Sequence, residues 1–272
     1  PHESLLVSQE RGLLMATLGN PVFNVGILDI YDISRDCRHP QLLSSSPAGV
    51  LGHESGLAPD GMTFYSGSPA TRTLFAVDIS NPRLPIASYR IDSHGLSISA
   101  DGNRAYVAGT GTGLHILDVS EVQAREPDPV IREVSNLRWR SMSIPQNAIP
   151  ITIDGHPYVV EIDEFGSGSA VGAARIIDIS DERDPNLRLE VHQREHFAAQ
   201  ADDFGNQSPI QGYAGHYCNV PTRVDPQIVA CSMIMSGLRV FSIEDPANPV
   251  EIAYFNSPSK AQELIGGNYA MA

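Results

Sequence analysis

One residue type recurs at the same place in a repeated pattern of this sequence, a histidine just before a short apolar run. His2 and His53 each begin the tripeptide His-Glu-Ser, and His94 and His216 precede similar runs. Asn147 takes the same place in a fifth copy. Neutral imidazole is a common metal ligand, and a set of convergent histidines suits Fe, Cu or Zn. The four histidines are therefore predicted metal ligands, provided that the fold brings them together.

Two other interpretations of the histidines stay open. Each ring could hydrogen-bond the backbone of a neighbouring loop, or the set could line a polar pocket for an organic ligand. Glu3 and Glu54 directly follow His2 and His53. Because side chains alternate along a strand, these carboxylates are expected to point away from the imidazoles. Each could still hydrogen-bond an imidazole and orient it, or bond a loop amide instead.

The segment "VVEIDEFGSGSAVGAAR" (159–175) carries three acidic residues at the end of a predicted strand. Glu161, Asp163 and Glu164 are candidate catalytic acids or bases, or metal ligands. A solvated acidic loop is the alternative. The Gly/Ser-rich stretch that follows is not a phosphate-binding loop, because it lacks Gly-Lys-Ser/Thr.

A cationic and aromatic segment precedes the Asn147 strand. Arg138, Trp139 and Arg140 are followed by Gln146 and Asn147, and all five are candidate ligand-binding residues. An aromatic ring between two cations could hold an anionic or planar ligand. Packing of Trp139 between neighbouring sheets is the simpler alternative.

Two of the three cysteines lie in one predicted hairpin. Cys218 and Cys231 fall nearly opposite each other across it, so they are a candidate disulfide. Such a bond fits an oxidising compartment. Cys37 is left over, and a partner for it would have to come from outside this sequence.

The elements that would position these residues form a repeat. Each copy has two apolar runs joined by a turn that often contains Asp-Gly, a dipeptide that tolerates the positive φ angles of tight hairpins. A third run ends in Asp-Ile-Ser or a variant, as in "LFAVDIS" (74–80). The Asp and Ser side chains there are predicted to cap backbone amides and end the strand. A fourth short run completes each copy.

Four short strands per copy, at spacings of about 41 to 70 residues, are typical of a β-propeller blade. We therefore predict an all-β protein, a single β-propeller domain over residues 1–272 with four-stranded antiparallel blades. Five blades are visible, at residues 2–50, 51–92, 93–140, 141–192 and 213–256. Residues 193–212 are predicted to be a capping insertion. Residues 257–272 are predicted to begin a further blade of a ring of about six or seven.

These copies resemble the LVIVD-repeat family of bacterial surface and secreted β-propellers. The signature, a strand followed by Asp-Ile-Ser and then Pro, stands here as "LFAVDISNP" (74–82) and "ARIIDISDERDP" (174–185). Looser forms occur in the other copies, so the resemblance extends from residue 2 to about residue 256. It implies the propeller fold and an extracellular or cell-envelope location. It implies no particular activity, because propellers host many.

In a propeller the first strand of each blade lines the central channel, so the repeated histidines are expected at one channel mouth. Three functions stay open. The first is a secreted or envelope propeller that binds a small-molecule ligand, a metal or a protein partner at this mouth. The second is a metalloenzyme, an oxidoreductase or lyase, with the metal on the propeller axis. The third is a purely structural protein-interaction module. A further chain or fragment is expected to complete the ring, since open sheet edges invite association.

Composition excludes some partners. The formal net charge of −14 argues against nucleic acid, because phosphate binding needs clustered cations. No apolar run approaches the roughly 20 residues of a membrane-spanning helix. The sequence begins at Pro1 without an initiator Met or a signal peptide, so we expect a processed or trimmed piece of a longer precursor.

Overall fold

The computed structural model of the chain describes residues 4–17, 27–49, 52–87, 93–164, 174–191, 215–233 and 237–255. Within these ranges the backbone forms twenty β-strands and one helix of four residues, α1 (Ser120–Gln123). His2, Glu3, the predicted capping insertion and the predicted start of a further blade lie outside the described residues.

The strands form five four-stranded sheets, here called sheets 1 to 5 in chain order. Sheet 1 contains β1 (Ser4–Ser8), β2 (Leu13–Thr17), β3 (Leu28–Asp32) and β4 (Gln41–Ser46). Sheet 2 contains β5 (Ser55–Leu57), β6 (Thr63–Ser68), β7 (Thr73–Asp78) and β8 (Ile86–Ala87). Sheet 3 contains β9 (Gly95–Ile98), β10 (Arg104–Gly109), β11 (Gly113–Asp118) and β12 (Arg132–Leu137). Sheet 4 contains β13 (Ile144–Ile153), β14 (His156–Glu164), β15 (Ala174–Asp178) and β16 (Asn186–Val191). Sheet 5 contains β17 (Gly215–Asn219), β18 (Ile228–Met233), β19 (Gly237–Ser242) and β20 (Val250–Phe255).

Each sheet is built from strands that follow one another in the chain. The first strand of each sheet forms one edge and the fourth strand forms the other. Neighbouring strands are antiparallel, as in the β13–β14 and β18–β19 pairs. Each sheet also falls within one of the five ranges predicted for a blade, so the four-strand repeat read from the sequence is the repeat of the structure.

The Asp-Gly dipeptides close hairpins of two different lengths. Asp154 and Gly155 form a two-residue turn between β13 and β14, with φ angles of 51° and 73°. Positive φ at both positions is the backbone of a type I′ turn. The turn between β5 and β6 is longer. The hydrogen bond that closes it runs from the N–H of Ala58 to the carbonyl of Thr63 at 2.9 Å, with four residues between them. Gly61, at φ 66°, is the residue of that turn in the left-handed region.

The Asp-x-Ser motif ends the third strand of sheets 1 to 4, as predicted. In each case the Asp Oδ1 accepts the backbone N–H of the Ser two residues later. The distances are 2.8 Å for Asp32, 2.8 Å for Asp78, 3.0 Å for Asp118 and 2.9 Å for Asp178. Hydrogen bonds from the serines lower the pKa values of Asp32 and Asp118, so these carboxylates stay ionised.

The described residues fall into two compact units. The first comprises Pro1–Thr110 and His115–Val134, and the second comprises Gly111–Leu114 and Ser135–Ala272. In the first unit, sheets 1 and 2 share one cluster of buried apolar side chains, and sheets 2 and 3 share another. In the second unit, sheets 4 and 5 share a third cluster. Within each unit the core therefore lies between the faces of consecutive sheets.

Sheet 5 contains a disulfide bond. Cys218 of β17 lies directly opposite Cys231 of β18, with the two Cα atoms 4.0 Å apart and the two sulfurs bonded. Both cysteines are fully buried in the cluster between sheets 4 and 5. Cys37 is exposed and has a free thiol.

Removing the disulfide is expected to destabilise the protein. Cross-linking across a loop of this size restricts the unfolded chain, which stabilises the folded state by about 3 kcal/mol. The double variant Cys218→Ala, Cys231→Ala should therefore unfold at a clearly lower urea concentration than the wild type. Cys37→Ala is the matched control and should leave the midpoint unchanged. Equal midpoints for the double variant and the wild type would contradict this account.

Candidate functional site

The first strands of sheets 4 and 5 each contain a β-bulge near their start, and the extra residue of each bulge is polar. The pairing register shifts between Pro145 and Asn147 in β13, and between Gly215 and Tyr217 at the start of β17. The extra residues are Gln146 and His216. A bulge removes its extra residue from the regular alternation of side chains and can aim that side chain at a site.

His53 and His94 enter sheets 2 and 3 in the same way. The N–H of His53 donates to the carbonyl of Gly67, and the N–H of Gly67 donates to the carbonyl of Glu54, both at 2.7 Å. Two residues of one strand therefore oppose one residue of its partner, which is the definition of a bulge. The N–H of His94 makes the corresponding bond to Ala108 at 2.8 Å.

The strand pairing corrects the predicted alignment of the copies at one residue, Asn147. Gln146, not Asn147, is the bulge residue that corresponds to His53, His94 and His216. The prediction aligned the copies on their Asp-Gly dipeptides, which assumes hairpin turns of equal length. The two-residue turn between β13 and β14 breaks that assumption. Asn147 is buried and pairs with Ile162 directly after the extra residue.

The bulges of the second unit bring three polar side chains together. We call Gln146, Glu164 and His216 the His216 site. The Nε2 atom of His216 lies 3.7 Å from Oε1 of Glu164 and 3.5 Å from the Gln146 amide. With its amide oriented to satisfy its neighbours, Gln146 donates to Oε2 of Glu164 at 3.3 Å and to the His216 carbonyl at 3.2 Å. The side chains of His216 and Glu164 are 26% and 15% exposed, so the site is open to solvent.

A buried ionic network lies on the neighbouring residues of β14. Arg175 of β15 donates from Nη1 to Glu161 at 2.9 Å and lies 2.8 Å, through Nη2, from Asp163. The backbone N–H of Ser143 also donates to Asp163, at 3.1 Å. The guanidinium of Arg175 stacks on the ring of Trp139, 4.6 Å from its centre. Arg175 and both carboxylates are closed off from solvent.

The pKa values of the two carboxyls in this network are both raised. Burial raises the pKa of Glu161 well above its ordinary value, and the charge of Asp163 raises it further. Burial also raises the pKa of Asp163, whereas the charge of Arg175 lowers it in part. Two carboxylates beside one cation would leave a net negative charge in the interior, which is costly. We interpret the network as neutral, with a proton on Glu161, whose pKa is raised well above its ordinary value, and with Asp163 as the anion of Arg175.

This arrangement separates the three carboxylates that were candidate catalytic acids or bases. Glu161 and Asp163 are buried and engaged with Arg175, so the solvated acidic loop expected as the alternative does not include them. Glu164 is the one of the three that reaches solvent, and it lies beside His216. The reason is the alternation of β14, which places Glu161 and Asp163 on one face and Glu164 on the other.

The predicted ligand-binding group around Trp139 is divided in the same way. Trp139 is buried against Arg175, while Arg138 and Arg140 are exposed. Arg138 donates to the carbonyl of Gly111 at 3.0 Å. The aromatic ring therefore packs on a cation from β15 rather than on its two sequence neighbours.

Two buried arginines were missed from the sequence. Arg175 and Arg239 occupy the same position in the third strands of sheets 4 and 5, and both are fully buried. Arg239 donates to Glu251 at 3.2 Å and stacks on the ring of Tyr254 at 4.8 Å. The signal was present, because a charge in the middle of an apolar strand must find a buried partner.

The first unit holds a pair of histidines. The ring centres of His53 and His94 lie 4.7 Å apart, and the rings meet edge to face. His94 is 2% exposed, and the His53 side chain is 14% exposed. Oε1 of Glu54 lies 4.0 Å from Nδ1 of His53, so this carboxylate is close to the imidazole that precedes it.

Across the part of the chain that the structure describes, no group of three or more His, Cys, Asp or Glu side chains is placed to hold a metal ion. His53 and His94 belong to the first unit and His216 to the second. His2 and Glu3 lie outside the described ranges. The four-histidine metal centre therefore stays a prediction.

Residues 94–122 match the family model of the LVIVD repeat. They span the first three strands of sheet 3, including His94 and the strand that ends at Asp118 and Ser120. The match confirms the resemblance to LVIVD-repeat proteins. No curated protein sequence matches this chain.

Solved structures share its fold at low sequence identity. Hydrazine synthase from Kuenenia stuttgartiensis superposes with a TM-score of 0.63 at 14% identity, covering 94% of this chain and 67% of that one. A putative 6-phosphogluconolactonase from Bacteroides fragilis gives 0.65 at 12% identity, covering 93% and 70%. The WD40 repeats of RRP9 give 0.51 at 10% identity, covering 93% and 80%. WD40 repeats are blades of a propeller, so the predicted β-propeller fold is confirmed.

A search of the described residues for membrane-spanning segments finds no helix of sufficient length and apolar character.

The neutral-network interpretation predicts opposite outcomes for two conservative variants. Glu161→Gln keeps a neutral side chain beside Arg175 and removes the cost of protonating a carboxyl that is ionised in the unfolded chain, so the free energy of unfolding at pH 7 should not fall. Asp163→Asn removes the anion and leaves a buried cation, which should cost about 3 to 5 kcal/mol. Urea unfolding of both variants measures the difference. A larger loss for Glu161→Gln than for Asp163→Asn would reverse the assignment of the proton.

The raised pKa of Glu161 also fixes the sign of a pH effect. A carboxyl whose folded-state pKa is raised favours folding at low pH, and this contribution decreases as the pH rises from the unfolded pKa toward the folded one. Above about pH 4.3, the unfolded value, the wild type should therefore lose stability relative to Glu161→Gln. Parallel stability curves for the two proteins would contradict the raised pKa.

Proposed function

We propose that this LVIVD-repeat β-propeller is a non-catalytic binding module, and that the His216 site binds a small cationic ligand. The ligand would carry N–H donors, as an alkylammonium or polyamine does. The observation that carries the proposal is the pair of bulges that turns Gln146 and His216 toward Glu164.

The charge of the site supports a cation. Glu164 is the carboxylate that reaches solvent at the His216 site, whereas Glu161 and Asp163 are buried against Arg175. A carboxylate accepts charge-assisted hydrogen bonds from ammonium groups, and such bonds are shorter and stronger than neutral ones.

The packing behind the site supports binding without large rearrangement. Glu164 follows Asp163 in β14, and Asp163 is held by Arg175 and by the N–H of Ser143. The Oγ atom of Ser143 in turn donates to the carbonyl of Glu164 at 3.2 Å. Because these supports are hydrogen-bonded, and Asp163 and Arg175 are buried, the carboxylate of Glu164 starts from a fixed backbone position, which lowers the entropy cost of binding.

An extracellular or cell-envelope location is part of the proposal. The Cys218–Cys231 disulfide supports it, since structural disulfides persist in oxidising compartments and are rare in reducing ones. The likeness to LVIVD-repeat proteins of bacterial surfaces agrees with it.

Binding of spermidine, used as a probe cation, is expected to depend on Glu164. Loss of one charge-assisted hydrogen bond costs about 1.5 to 3 kcal/mol, so Glu164→Gln should raise the dissociation constant about 10- to 100-fold. His216→Ala should also weaken binding, because the imidazole borders the carboxylate. Isothermal titration calorimetry at low salt measures both effects.

The matched control for this experiment is Glu244→Gln, which neutralises an exposed carboxylate in the same unit. It should leave spermidine binding unchanged. If Glu164→Gln and Glu244→Gln weaken binding equally, the cation responds to the overall charge of the chain and the His216 site is not its binding site. Absence of any binding to the wild type would end the proposal for this ligand class.

A transition metal at the histidine pair of the first unit is the second candidate function. The close approach of His53 and His94 supports it, since imidazoles at this distance can share an ion after small ring rotations. Elemental analysis of protein purified without chelators tests it. We expect a stoichiometric metal in the wild type that is lost in His53→Ala, His94→Ala. Metal content that is unchanged in this double variant would exclude the pair.

A further inference from the structure

Two buried carboxyl groups of β14 lie against each other and against one guanidinium. Arg175 lies 2.9 Å from Glu161 and 2.8 Å from Asp163, and none of the three side chains reaches solvent. The carboxyl groups of Glu161 and Asp163 also hydrogen-bond each other. Two ionised carboxylates have no hydrogen to donate. This hydrogen bond therefore requires a proton on one of the two groups.

The other hydrogen bonds of the pair leave one acceptor on each carboxyl for this proton. Arg175 engages Oε2 of Glu161 and Oδ2 of Asp163, and the N–H of Ser143 donates to the same Oδ2. The remaining oxygens, Oε1 of Glu161 and Oδ1 of Asp163, are buried, and within the described residues no N–H or hydroxyl donates to either. A proton held between the two groups gives both oxygens a partner. It also leaves one anion for one guanidinium, which is the least costly charge state in the interior.

The carboxyl pair lies in the same strand as the carboxylate of the His216 site. Glu164 follows Asp163 directly in β14. Ser143 holds both residues, because its N–H donates to Asp163 and its Oγ donates to the carbonyl of Glu164. Three residues of a strand span about 10 Å, which is the separation along β14 between Glu161 and Glu164. Two charges that far apart near a protein surface change each other's proton or cation affinity about 3- to 10-fold.

We propose that the Glu161–Asp163 pair is a proton-binding site that releases its proton when a cation binds at the His216 site. This inference rests on the cation binding proposed above and adds the regulation of that site. Without a ligand, the negative charge of Glu164 holds the proton on the pair. A bound cation neutralises that charge, so the pair binds its proton more weakly. By linkage, loss of the proton strengthens cation binding by the same factor.

Other charged groups act on the pair or on the site, and the test must separate them. Asp163 and Arg175 face Glu161 directly, and the ring of Trp139 stacks on the guanidinium. His216 borders Glu164, and it also weakens cation binding when it is protonated. Glu161→Gln removes the proton of the pair and leaves His216 in place. The difference between this variant and the wild type therefore reports on the pair alone.

Isothermal titration calorimetry with spermidine, in buffers of different ionisation enthalpy, counts the protons released on binding. At the same pH the wild type should release more protons per bound spermidine than Glu161→Gln does. As the pH is raised, the dissociation constant of the wild type should fall about 3- to 10-fold further than that of the variant. The control is Glu244→Gln, which removes an exposed carboxylate of the same unit and should release as many protons as the wild type.

Carbon-13 NMR of the side-chain carboxyls follows the proton on the wild type itself, so this measurement holds even if Glu161→Gln fails to fold. The titration of Glu161 should move to lower pH when spermidine is added. A titration that spermidine does not move overturns this inference, and so does equal proton release by the wild type and Glu161→Gln. Either result, with spermidine binding intact, leaves the proposed function standing. Absence of spermidine binding to the wild type overturns both proposals.

Discussion

The pairing of apolar sheet faces is the constraint on which the rest of this structure depends. A four-stranded sheet cannot cover its own faces, so each face must pack on a neighbouring sheet. The strands β6 and β15 are accordingly buried along their whole length, as expected for strands covered on both sides. Polar chemistry is then confined mainly to the ends of the strands. At one end of each sheet the Asp-x-Ser turns hold the third strand, and at the other end the bulges introduce His53, His94, Gln146 and His216.

In the described ranges, the charged groups named here enter the packed faces together with their partners. Arg175 is neutralised by Asp163 and Arg239 by Glu251, and an aromatic ring stacks on each guanidinium. The equivalent residue of sheet 3, His115, meets Glu133 at 2.7 Å. Such sets contribute little net stability when compared with apolar packing, but removing one partner leaves an uncompensated charge. In sheets 3, 4 and 5 the residue three positions before the end of the third strand is therefore polar within an otherwise apolar layer, and sheet 4 uses it to anchor the strand that carries Glu164.

The sequence predicted what depends on local chemistry. Asp-Gly and Asp-x-Ser act over a few residues, so the hairpins, the strand ends and the four-strand repeat could be read directly, and the LVIVD resemblance added the fold. The facing pair Cys218 and Cys231 followed from counting along one hairpin. The place of Gln146 could not be counted, because it depends on whether a turn has two residues or four. The burial of Glu161 depended on Arg175 in the next strand, a pairing that appears only when the register of β14 and β15 is known.

The acidity of the chain is itself a poor guide to its ligand. Asp32, Asp78 and Asp118 are ionised, and each accepts a hydrogen bond from a serine of its own turn, which lowers its pKa. Much of the negative charge is thus part of how the strands end. Glu164 differs from these residues, because it lies at the end of a second strand, beside an imidazole and an amide that bulges have turned toward it. A cation attracted by overall charge alone would respond equally to all of these carboxylates, whereas a ligand of the His216 site would respond to one.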